Sequence, residues 1–401
     1  MDRNLDEILR RKISETLGET IDESIDADDL MFDLGMRYLR MMDADRKRRT
    51  RKKAHKKAHQ LSLWADDAPS KQALIEYVEA VTDRKHPDYI PKNDRIAVFD
   101  LDGTLFCESD PTWFDFMLYR HRILEDEDYR ELASEYEKGV AATVQSIIDT
   151  GVVPDGFEVE IGSCIARAFE GMSVKAFTHY VRDYAETPSP GFDGMCIGEA
   201  FYLPMIQVID YLQDHGFTVY VCSGSDRLVV RAIVEGGLIL ASRYVIGTEE
   251  LISAKNQGDK PGTEYVFSNQ DELVLSGRIA NKNLKMTKVS MVAEQVGQCP
   301  VLSFGNSAGD ISITNYVMGN EQYRTAAFFV CCDDDIRENG SPEKARPVYD
   351  FCAENGWTPI SMKNDWLTVF GEGVVKKAAD ADGDDRGEPN GGRCEERMDH
   401  D

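Results

Sequence analysis

The chain has 401 residues, 42% of them hydrophobic and 29% charged. That leaves room for two or three domains of ~100–200 residues and for a sizeable core. No run approaches the ~18 uncharged apolar residues of a membrane helix, so no membrane partner is expected. Lys+Arg is 46 against 72 Asp+Glu, a net charge of −26, which repels nucleic acid and anionic lipid from the molecule as a whole.

In chain order, residues 1–60 read as a charged extension, helical or partly disordered. Ile8, Leu9, Ile13 and Leu17 recur at near-helical spacing, and Leu30 to Met42 is a second helical candidate. Arg46 to Lys57 holds nine Lys or Arg in twelve residues. It is the one hint of a nucleic-acid or acidic partner. A solvated helix or linker is the favoured reading, because no aromatic residue interleaves the cluster. The first residues show no apolar h-region and therefore no secretory signal. None of the nine cysteines forms a C-x-x-C pair, so reduced thiols and a cytoplasmic protein are expected.

Short apolar runs follow: RIAVFD (95–100), FTVYVCSG (217–224), PVLSFGNS (300–307), TAAFFVCC (325–332) and WTPISM (357–362). Continuous apolar runs suit strands buried on both faces. Helical patterns precede the second and third, which predicts an α/β fold, a Rossmann-like doubly wound parallel sheet with helices on both faces. Ligands then lie beyond the carboxyl ends of the strands. Residues 61–107 and 200–372 form this core. Residues 108–199 read as a mainly helical insertion, a cap or lid. Within 245–277, EYVFSNQDELVLSG looks like a hairpin extending the sheet. Residues 373–401 read as a disordered acidic tail, almost without large apolar side chains from Ala378 onward.

The chemistry gathers at the strand ends. Asp100 and Asp102 in DLDGT lie two apart on an extended segment, so their side chains point the same way. Two carboxylates so close do not both ionise easily without a cation. A divalent metal with oxygen ligands resolves this, and Mg²⁺ is the usual choice beside phosphate. One carboxylate can then attack and the other move protons. Ser223-Gly224 ends the second strand, where a small hydroxyl and a glycine let the backbone approach an anion. Lys288 opens an amphipathic helix and can neutralise a phosphoryl group; Lys285 is its rival. Asn306 and Asp310 in GNSAGD offer a carbonyl oxygen and a carboxylate to a hard cation. Glu108 opens the insertion and is a candidate contact to substrate or cap.

In this order, FDLDGT, VCSG, the lysine of TKVSMVAEQVG and FGNSAGD resemble the haloacid dehalogenase-like superfamily, in its phosphoserine phosphatase-like branch. The resemblance covers about Ser62 to Phe370, including Leu63-Trp64, Gly356-Trp357 and Asp365-Trp366. It implies a phosphatase, a Mg²⁺-dependent phosphomonoester hydrolase of a small metabolite that works through an aspartyl-phosphate. It also implies that Asp100 is the nucleophile and Asp102 the proton carrier. Asp100, the Asp102 carbonyl and Asn306 would hold Mg²⁺, with Asp310 a further ligand or an anchor. Ser223, Gly224 and Lys288 would hold phosphate. Asn306 stands where the family usually has aspartate, which removes one negative charge from the metal site. The alternatives are a phosphotransferase or mutase with the same intermediate, and a non-catalytic binding protein on the same fold.

Overall fold

The computed structural model describes residues 61–237 and 240–378, all within the unit Leu61–Asp401. The expected N-terminal extension, the basic segment 46–57 and the tail beyond residue 378 lie outside the described residues. In chain order, α1 (Pro69–Thr82) precedes β1 (Ile96–Phe99). Four helices follow: α2 (Phe114–Leu124), α3 (Glu135–Thr150), α4 (Phe157–Ala168) and α5 (Val174–Ala185). Next come β2 (Phe192–Asp193), α6 (Leu203–Asp214), β3 (Thr218–Asp226), α7 (Arg227–Gly237), β4 (Val245–Ala254) and β5 (Leu273–Asn281). The chain continues through α8 (Met286–Val296), β6 (Leu302–Gly305), α9 (Ile311–Met318), β7 (Ala326–Cys331), α10 (Pro342–Asn355), β8 (Thr358–Ser361), α11 (Met362–Asp365) and β9 (Val375–Lys376).

Seven strands form one sheet in the order β5-β4-β3-β1-β6-β7-β8. All neighbours run parallel except β4 and β5, which are antiparallel. The sheet is buried on both faces, as the unbroken apolar runs require. On one face Val98, Cys222 and Ile246 pack against Met291 and Val292 of α8 and Ile313 and Val317 of α9. On the other, Phe99, Val219 and Val221 join the large cluster that includes Leu74, Val78 and Val81 of α1 and Met205, Val208 and Ile209 of α6. Phe99, Phe304 and Phe328 are register partners on β1, β6 and β7. Their rings stack at 4.1 and 5.2 Å between centroids. This ladder forms the floor directly beneath the loops that leave β1 and β6.

The hairpin differs from its expected place. Its arms are β4 and β5, and Glu264–Ser268 lie in the loop between them, with Val266 87% exposed. A short Val/Phe run flanked by Glu, Ser, Asn and Gln has too little apolar surface to bury as a strand. Val375–Lys376, inside the stretch expected to be disordered, pair antiparallel with Phe192–Asp193. Trp64 and Trp366, distant in sequence, form an isolated bridge and an edge-to-face contact at 6.0 Å. Among the described residues, seven cysteines carry free thiols; Cys196 is not one of them. Among the described residues, no helix is long and apolar enough to cross a membrane.

Candidate active site

β1 is central, with β3 on one side and β6 on the other. The chain order reverses there, which opens a crevice at the carboxyl ends. Asp100 is the first residue after β1, and its N–H donates to the Phe304 carbonyl at 2.9 Å. The turn after it depends on Gly103, at φ 75°. A Cβ at Gly103 would stand 1.9 Å from Asn306 Nδ2 and 2.8 Å from Glu108 Cδ, so glycine is what lets the three loops meet.

Lys288, in the first turn of α8, is buried and donates to Asp100 Oδ1 at 2.6 Å and to Asp310 Oδ1 at 2.8 Å. Lys285 is exposed and lies just outside the helix, at φ 48°. The helix register therefore brings Lys288, and not Lys285, to the carboxylates. The second oxygen of Asp310 accepts from the N–H groups of Asn306 and Ser307, at 3.1 and 3.4 Å. Asp310 is thus an anchor for the loop after β6. Asn306 accepts from Thr104 Oγ1 at 3.4 Å and donates its amide to Glu108 Oε1 at 3.0 Å.

Ser223 Oγ donates to Asp102 Oδ2 at 3.2 Å, and Ser225 Oγ donates to the same oxygen at 2.8 Å. Ser225 is a site residue the sequence reading missed, although its spacing of two from Ser223 along β3 is a readable signal. Asp115, in the first turn of α2, had no such signal. It is 2% exposed, and its Oδ1 is buried without a partner.

Burial pushes the Asp102 carboxyl up to about 6, with the Asp115 charge as the next cause. Burial, then the Asp102 charge, pushes Glu108 up to about 7. Burial and the neighbouring Asp310 also push Asp100 upward, against the pull of Lys288. For Lys288, burial favours the neutral amine, but Asp100 and Asp310 outweigh it and hold the ammonium. One ammonium thus contacts Asp100 and Asp310 and acts on Asp102, while Glu108 adds a fourth carboxyl beside Asp102. The donors are all oxygens, and the surplus of negative charge fits a hard divalent cation. Among the described residues, no three His, Cys, Asp or Glu side chains are grouped to hold a metal. Amide and carbonyl oxygens would have to complete the set.

A carboxylate, a partly protonated carboxyl and an ammonium on loops after parallel strands define an α/β protein equipped for acid–base and nucleophilic chemistry. The sequence matches the haloacid dehalogenase-like hydrolases over residues 97–312, more than half of the chain. The chain belongs to that family. No curated protein matches it. A Bordetella pertussis Tohama I protein of unknown function is 14% identical, with 66% of this chain and 97% of that chain covered and a TM-score of 0.42. A conserved, functionally unknown protein from Anaerococcus prevotii DSM 20548 is 13% identical, with 73% and 91% covered and a TM-score of 0.42. A phosphoserine phosphohydrolase-like protein from Francisella tularensis subsp. tularensis SCHU S4 is 11% identical, with 63% and 92% covered and a TM-score of 0.34.

Proposed function

We propose that this hydrolase is a Mg²⁺-dependent phosphatase acting on a small phosphomonoester. The observation that carries the reading is Lys288 held between Asp100 and Asp310 at the carboxyl end of the central strand. Phosphoryl transfer needs positioning and charge neutralisation more than elaborate covalent chemistry, and these groups supply both. Lys288 fixes one oxygen of Asp100 and so orients the carboxylate toward the crevice. The Asp100 carboxylate attacks phosphorus, and the bond from phosphorus to the leaving alcohol breaks. Asp102, with its carboxyl raised to about 6, gives the alcohol its proton. It then takes a proton from the water that cleaves the aspartyl-phosphate, so free phosphate leaves and both carboxyl groups return to their starting states.

Ser223 and Gly224, near the carboxyl end of β3, would hold phosphate oxygens. The Asp100 carboxylate, the Asp102 carbonyl and the Asn306 amide oxygen would hold Mg²⁺, with Asp310 bracing the loop. The chemistry a bound Mg²⁺ would supply is offset of the negative charge on the transferring group. Helices α2 to α5 form the cap over the crevice, and a cap of that size favours small-molecule substrates over phosphoproteins.

The test is phosphate release from a panel of small phosphomonoesters, with Mg²⁺ and with EDTA. Release that needs Mg²⁺ and disappears in Asp100→Asn supports the reading. Release that EDTA leaves intact, or that survives in Asp100→Asn, contradicts it. Label passing to a second alcohol instead of water would identify a phosphotransferase.

A further inference from the structure

The last residues of β3, where its register against β4 shifts between Cys222 and Asp226, are gripped from behind by two residues of the neighbouring hairpin. Asn283, two residues after β5, is completely buried. Its Nδ2 donates to the Ser223 carbonyl at 2.8 Å and to Cys222 Sγ at 3.4 Å. Its backbone N–H donates to Thr248 Oγ1 at 3.1 Å. The Thr248 hydroxyl in turn donates to the Gly224 carbonyl at 2.6 Å. Two successive carbonyls of β3 are therefore pinned by the hairpin.

In a trans peptide the C=O and the N–H point in opposite directions. Fixing the Ser223 carbonyl against Asn283 therefore fixes the direction of the Gly224 N–H, on the side away from Asn283. Fixing the Gly224 carbonyl likewise sets the Ser225 N–H, which donates to Ser223 Oγ at 3.0 Å. The same segment of β3 carries the two hydroxyls that meet on Asp102 Oδ2. One clamp thus governs an amide aimed away from Asn283 and two donors to a carboxyl.

The clamp is bought with local stability. Asn283 Oδ1 is buried without a partner, and Lys285, two residues on, holds a left-handed φ of 48° without being glycine. Both features cost free energy, and such costs gather where the surroundings enforce a required geometry.

We propose that Thr248 and Asn283 are positioning residues for the phosphate-facing segment Ser223–Gly224 of β3. They act through that segment: they aim the Gly224 amide and hold Ser223 and Ser225 on Asp102. The catalytic consequence rests on the phosphatase reading, while the effect on anion binding does not.

The test compares wild type, Thr248→Val and Thr248→Ser. Valine keeps the shape and loses the hydroxyl; serine keeps the hydroxyl. Three readouts are taken: kcat and KM for p-nitrophenyl phosphate, the Kd of orthovanadate by calorimetry with Mg²⁺, and Tm. T248V is expected to lower kcat and weaken orthovanadate by roughly tenfold to a hundredfold, short of deleting an oxyanion donor outright. KM should change much less, and T248S should stay close to wild type. If T248V does not fold, Thr248→Ala, which removes the hydroxyl without crowding, takes its place. A lower Tm with unchanged kcat and orthovanadate affinity overturns the proposal, because the clamp is then only structural. A T248S loss as large as that of T248V also overturns it. Wild type that binds orthovanadate but hydrolyses no ester, with binding lost in T248V, leaves the clamp standing and removes the phosphatase reading. Wild type that neither binds nor hydrolyses removes both.

Discussion

Lys288→Met removes the ammonium that pairs with both Asp100 and Asp310 and should leave the two carboxyls in place. At 2.6 and 2.8 Å, each contact carries about 6 kcal/mol of attraction at an effective dielectric of ~20. Desolvation offsets much of it, and deleting one partner of a buried pair costs about 3–5 kcal/mol. Asp100 and Asp310 side chains are 10% and 2% exposed, so water does little to relieve them. The folded-state pKa of Lys288 is raised. Its contribution is therefore fully present below the unfolded value of ~10.4 and is lost only as pH rises through the folded value, so it is intact at pH 8. In the variant, Asp100 sits still higher than in wild type, and acid neutralises it. Urea unfolding in EDTA should show the full loss at pH 8 and a smaller one at pH 5. Adding Asp310→Asn to Lys288→Met should recover part of the loss, since one of the stranded charges goes. A loss under ~1 kcal/mol at pH 8, the size of an exposed pair, or a gap that widens at pH 5, would refute the reasoning.

Other expectations follow from the same geometry. Gly103→Ala combines a left-handed φ, costing about 1–2 kcal/mol, with a Cβ 1.9 Å from Asn306 Nδ2. It should lower Tm and raise the Mg²⁺ concentration needed for half-maximal activity; an unchanged Mg²⁺ titration would count against Asn306 as a ligand. Asp102 and Glu108 have folded pKa values raised to about 6 and 7. Without metal, the stability they contribute is present below their unfolded values near 4 and is lost as pH rises to about 7. Mg²⁺ should therefore raise Tm more at pH 8 than at pH 5, and the reverse order would contradict this. Ser134→Ala breaks the capping box that starts α3, where Ser134 and Glu137 bond reciprocally. It should cost about 1 kcal/mol and leave orthovanadate binding unchanged, as calorimetry would show.

The parts of the fold that were legible are those where one local rule decides. β1, β3, β6 and β7 are largely buried runs because both faces of the sheet are covered there. Asp100, Asp102, Ser223, Asn306 and Asp310 stood out because each directly follows or ends such a run. The choice between Lys285 and Lys288 turned on where the helix begins, which is set by the backbone at Lys285. Asp115 comes from α2, among the helices inserted after β1, and Thr248 and Asn283 from the β4–β5 hairpin. Their approach depends on how those elements fold back, and no local periodicity encodes that. Val375–Lys376 gave no strand signal, because a two-residue strand is made by its partner at Phe192–Asp193 and not by its own propensity.

The most direct measurement is a rapid acid quench of Asp102→Asn with a phosphomonoester and Mg²⁺, followed by mass spectrometry of the peptide containing Asp100. On the proposed mechanism, removing the Asp102 carboxyl should slow hydrolysis of the intermediate more than its formation from an ester with a good leaving group. The expected result is a peptide heavier by one phosphoryl group, with the addition on Asp100 and absent when Asp100 is asparagine. Phosphate released at wild-type speed with no covalent species, or a phosphoryl group on any other residue, would contradict the assignment of Asp100 as the nucleophile.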